Sequence, residues 1–96
     1  VNREKIRYSI LKEIDNGNRP LHTEYEITQN EFCDIIQNFI DEGLLANAKV
    51  ERMGSNKRVA LIKGSRVTTE GKEYLSKNTA WSKAYSLAKE VRDWVK

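Results

Sequence analysis

The chain has 96 residues, 39% of them hydrophobic and 32% charged, with a net charge of +3 at pH 7. That size suits one small domain, residues 1–96, with a single core. One Cys (Cys33) and one His (His22) exclude an internal disulfide and the usual zinc ligand sets, and the longest apolar run, residues 59–62, falls far short of the ~18 residues of a membrane span. No signal-peptide core opens the chain, so the expectation is a cytoplasmic protein with no metal, no cofactor and no membrane partner. The charge is unevenly spread: residues 28–48 hold four acids and no Lys or Arg, whereas residues 49–66 hold six cations against Glu51 alone.

A first helix is predicted over about residues 2–16, with Asn2 as N-cap and Val1 stapled to Ile6. Ile6, Ile10 and Ile14 recur every fourth position and make one apolar stripe with Leu11. Gly17 supplies the left-handed residue that ends it, and Pro20 forbids its return. The next stretch, "RPLHTEYEI", has room for an extended piece and one or two helical turns at most.

"TQNEFCDIIQNFIDEGLL" gives the clearest helix, because Thr28 and Glu31 form a capping box and Phe32, Ile35, Ile36, Phe39 and Ile40 share a face. Gln29, Asn30, Cys33, Asp34, Gln37, Asn38 and Asp41 fall on the outward side. Gly43 closes this helix. The period then drops to two through Ala46, Ala48 and Val50, breaks at "MGSNKR" and resumes in "VALI", which predicts a hairpin. Either a type II′ turn at Gly54 or a four-residue loop through Lys57 joins its strands. "VTTEGKEYLSKN" predicts a short helix capped by Thr68, with Gly71 at its third position and Tyr74 and Leu75 inward. A last amphipathic helix over about residues 80–95 carries Trp81, Ala84, Tyr85, Ala88, Val91 and Val95, with Leu87 and Trp94 widening its apolar face.

Helix, short segment, helix, hairpin, helices is the order of an α+β winged helix-turn-helix domain, with the hairpin as the wing and the C-terminal helix added. "VTTEGKEYL" is similar to the run that follows the second wing strand in many winged-helix regulators. Over nearly its whole length the chain resembles the YjcQ-like family of small bacterial and prophage winged-helix proteins. The resemblance rests on "KIRYSILKEIDNGN", "ITQNEFCDIIQNFIDEGLL" and "TEGKEYLSKNTAWSKAYSLAKEVRDWVK", with "WSKAY" and "RDW" the most distinctive. It implies the fold and a phage or prophage setting, and assigns no catalytic or binding residues.

Function must therefore be argued from side chains. The wing holds Lys49, Arg52, Lys57, Arg58, Lys63 and Arg66, with Asn56 at its tip, a set suited to phosphates of double-stranded DNA. Lys and Arg on a two-stranded edge also guard against strand aggregation, which is the purely structural reading. On the helix beginning at Thr28, Gln29, Asn30, Gln37 and Asn38 are the side chains able to read bases. Its acids, Glu31, Asp34, Asp41 and Glu42, oppose phosphate and raise the alternative of a basic protein partner on that face. Arg3, Lys5 and Arg7 of the first helix can add phosphate contacts. Trp81, Tyr85, Ala88 and Trp94 either pack internally or form a homodimer face. No nucleophile and base converge, and "EGKEYL" lacks the setting of a phosphate loop, so no enzyme is expected.

Overall fold

The computed structural model describes residues 3–88 and 91–94. Its elements are α1 (Arg3–Asp15), a 3₁₀ turn (His22–Tyr25), α2 (Gln29–Asp41), β1 (Leu45–Ala46), β2 (Lys49–Arg52), β3 (Arg58–Leu61), β4 (Arg66–Val67), α3 (Thr69–Lys77), α4 (Thr79–Leu87) and α5 (Val91–Trp94). The expected cap and staple at Val1 and Asn2 lie outside the described residues, as do Val95 and the side chain of Val91.

Helix α2 ends where its sequence says it must. Gly43 is left-handed at φ +74°, Leu44 N–H donates to Phe39 C=O at 2.8 Å, and Gly43 N–H donates to Ile40 C=O at 3.1 Å. These bonds satisfy carbonyls that the end of a helix would otherwise orphan. The Thr28–Glu31 capping box starts the same helix, with Glu31 N–H donating to Thr28 Oγ1 and Thr28 N–H to Glu31 Oε1. Phe32, Ile35, Ile36 and Phe39 are buried as their spacing requires, and Cys33, expected on the outward side, is buried with them at 0% exposure. Burial pushes its thiol pKa up.

Helix α1 is buried more widely than its four-residue stripe suggests. Besides Ile6, Ile10, Leu11 and Ile14, it buries Tyr8 and Ser9, both at 0% exposure, and Arg7. The second face receives the C-terminus. Tyr8 meets Trp81, Tyr85 and Trp94 at ring-centroid distances of 5.8, 5.8 and 5.7 Å. The predicted continuous helix over residues 80–95 is instead two, because Ala88 is extended at φ −74°, ψ 131°. That break returns Trp94 to α1, where its Nε1 donates to Lys5 C=O at 2.8 Å. No Gly or Pro stands at the break to announce it.

The predicted strand alternation also divides. Asn47 is left-handed at φ +60°, so Ala46 belongs to β1, paired antiparallel with β4, and only β2 continues into the hairpin with β3. At the tip Met53 N–H donates to Lys57 C=O at 2.7 Å, leaving Gly54, Ser55 and Asn56 as a three-residue turn, neither of the two forms expected. Helix α3 is capped by Thr68, whose Oγ1 accepts from Gly71 N–H and whose hydroxyl donates to Gly43 C=O. Thr68 thus ties the ends of two helices together.

Candidate nucleic-acid interface

Helix α2 lies against both strands of the hairpin, and four polar contacts fasten its first two turns to the wing. Arg58 donates from Nη2 to Asp34 Oδ1 at 2.8 Å and to Asn30 C=O at 3.0 Å. Gln29 Nε2 donates to Arg58 C=O at 2.8 Å, and Asn30 Nδ2 to Asn56 C=O at 3.2 Å. The cause is visible in the strand register. Arg58 stands directly opposite Arg52, and like charges so placed repel, so Asp34 offers Arg58 a better position.

This latch sorts the candidate residues. Gln29 and Asn30 commit their side-chain NH2 groups and Arg58 its Nη2 within the domain, and the backbone of Asn56 is engaged while its side chain stays at the exposed tip. Gln37 is half-buried and donates to Asp41 at 2.9 Å, whereas Asn38 is exposed. Lys49 pairs with Glu51 at 2.7 Å on the strand's outer face. Arg52 and Lys57 are exposed, and neither has an ion-pair partner among the described residues. Met53, 57% exposed, follows Arg52 and pairs with Lys57 at the mouth of the turn.

The acids of α2 are occupied as well. Glu31 serves the capping box, and hydrogen bonding from the Thr28 backbone and then its hydroxyl holds its carboxyl below the usual range. Asp34 holds Arg58, Asp41 accepts from Gln37, and Glu42 accepts from Arg7 at 3.0 Å. Burial works against the Arg7 charge, but Glu42 with Tyr74 more than offsets it and the pKa rises. Arg7 is therefore a buried anchor between α1 and α2 and cannot reach phosphate, contrary to the sequence expectation. Lys5 lies 4.6 Å over the Trp94 ring.

At the other end, Trp81, Tyr85 and Ala88 are half-buried and Trp94 is 4% exposed. Tyr8 of the same chain packs against Trp81, Tyr85 and Trp94, while Leu87 of α4 stays 83% exposed. No sequence signal marked the other side of α1. A Ser among apolar residues reads as neutral, yet Ser9 sits at 3.0 Å from both Tyr25 Oη and Tyr85 Oη. Tyr85 O–H donates to Glu13, so its oxygen accepts from Ser9, and Ser9 in turn accepts from Tyr25.

No helix among the described residues is long and apolar enough to cross a membrane, and no group of His, Cys, Asp and Glu there is placed to hold a metal. A helical platform with a hairpin fastened across its second long helix, closed by a small antiparallel sheet, is a winged-helix domain. The family described as YjcQ protein matches residues 8–94. The chain belongs to that family. It is 39% identical to "Uncharacterized protein YjcQ" of Bacillus subtilis (strain 168), with all of both chains covered. Comparison with solved structures gave no match.

Proposed function

We propose that this is a non-catalytic, transcription-regulator-like domain that binds duplex DNA through phosphate contacts of its wing, with little reading of bases. The observation that supports this is the division of the wing's cations. Arg58 is held by Asp34, whereas Arg52 and Lys57 flank an exposed tip without ion-pair partners among the described residues. The latch anchors the wing, so these two charges extend from a braced hairpin and lose less freedom on meeting phosphate. Base preference is weak in this reading, because the Gln29 and Asn30 amides already donate to the wing, Gln37 donates to Asp41, and of these four only Asn38 lacks a side-chain hydrogen bond among the described residues. Internal pairing of the α2 acids moderates the repulsion that their sequence alone suggests. It also leaves less for a basic protein partner of that face. The test is fluorescence anisotropy with several unrelated duplexes. Lys57→Ala weakens binding to all of them by a similar factor, whereas a loss confined to one sequence, or no loss, rejects the assignment.

A further inference from the structure

Residues 19–22, the start of α2 and β3 enclose a cleft of about 630 Å³, within the range of roughly 300–1,000 Å³ typical of ligand sites. Five consecutive residues, 59–63, line it. The first three belong to β3, where successive residues point to opposite faces, so their unbroken run along one cleft means that the cleft follows the strand's edge. The hydrogen-bond phase agrees. Met53 and Lys57 form a bonded pair, and alternation makes Arg58 and Ala60 non-bonded partners of Arg52 and Val50, with their N–H and C=O groups directed away from β2. The Arg58 carbonyl is met by Gln29. The Ala60 N–H and C=O have no partner among the described residues.

The cleft combines that open backbone with an apolar lining and a cationic rim. Phe32 is buried at its floor, Leu21 and Leu61 are 60% and 42% exposed beside it, and Arg19 and Lys63 border it with no acid among the lining residues. We propose that this cleft binds an extended, acidic segment of a partner protein, which adds to β3 as a third strand. Backbone pairing to Ala60 supplies the register, alternate apolar side chains enter the cleft, and acids meet Arg19 and Lys63. A second copy of this chain fits poorly. In an antiparallel pairing centred on Ala60, Lys57 of each copy faces Lys63 of the other, and like charges directly opposite are unfavourable.

The test is selection of binders from a displayed library of random peptides, followed by titration of the winners into isotope-labelled protein. The expected winners alternate acidic and apolar residues and shift the amide signals of Ala60 and its neighbours. N-methylation of the peptide at alternate positions abolishes their binding, and the Arg19→Glu/Lys63→Glu variant weakens it about tenfold or more. The inference is overturned if no peptide is enriched, if the winners are neutral or basic, or if the Ala60 amide stays unmoved. It is equally overturned if the edge is found occupied by a second copy of the chain or by DNA. Arg52 and Lys57 play no part in this cleft, so failure of the DNA reading leaves the result interpretable.

Discussion

Gly71 illustrates how one residue sets the closeness of two elements. A Cβ there would meet the Leu44 carbonyl oxygen and come within 2.5 Å of Val67 Cγ1. Helix α3 starts against the end of α2 only because this position carries no side chain, and the Thr68 cap then holds it. Gly71→Ala gains helix propensity but overpacks a backbone contact, and is expected to lower stability by about 1–3 kcal/mol in denaturant titration. The tyrosines give a second residue-scale prediction. Burial, foremost, pushes the phenol pKa values of Tyr25, Tyr74 and Tyr85 above their ordinary value of 10.0. Above that pH the unfolded chain releases protons that the native state keeps, so stability is full below about pH 10 and falls as pH rises. Phenolate absorbance checks this: these tyrosines ionise together with unfolding, and free ionisation of all tyrosines in the native protein near the ordinary pKa would contradict it.

Between elements, the decisive contacts are the latch of wing to α2 and the return of α5 to α1. Arg58 and Asp34 are both partly exposed, so their ion pair alone is worth about 0–1 kcal/mol. The neighbouring hydrogen bonds give the latch its geometry. Arg58→Ala is expected to cost about 1–2 kcal/mol and to raise hydrogen exchange at the hairpin tip, while leaving the α1 amides protected. Trp94→Ala removes a nearly buried ring, its bond to Lys5 and its place beside Tyr8. It should cost about 3–5 kcal/mol, a large part of a small domain's stability, and detach α4 with it. Calorimetry of the variant checks the size. Neither contact has a local sequence signal. Caps at Thr28 and Thr68 and the stop at Gly43 are local chemistry, so they are legible from neighbouring residues. The extended residue Ala88 and the Arg58–Asp34 pair are set by tertiary register, which no short window of sequence contains.

For the molecule as a whole, the sequence showed the winged-helix order and the cationic wing, because both follow from hydrophobic period and charge count. It could not show which charges remain available. Asp34 looks like a charge hostile to phosphate, and Arg58 like a ligand for it, until pairing cancels one against the other. Likewise the aromatic residues of the C-terminus turn out to share Tyr8, hidden in the helix facing them, while Leu87 stays 83% exposed. On the proposed reading, the phosphate-binding surface is thus smaller than the composition implies, a wing tip with Arg52 and Lys57 beside a latched helix. Salt dependence of binding to generic duplex DNA tests this directly, for the wild type and for Arg52→Ala/Lys57→Ala. With two to four phosphates neutralised, affinity should fall roughly ten- to hundredfold between about 50 and 200 mM salt, and the double substitution should reduce the logarithmic slope by nearly two. No binding at the lowest salt, or a slope unmoved by the double substitution, would contradict the wing-phosphate account.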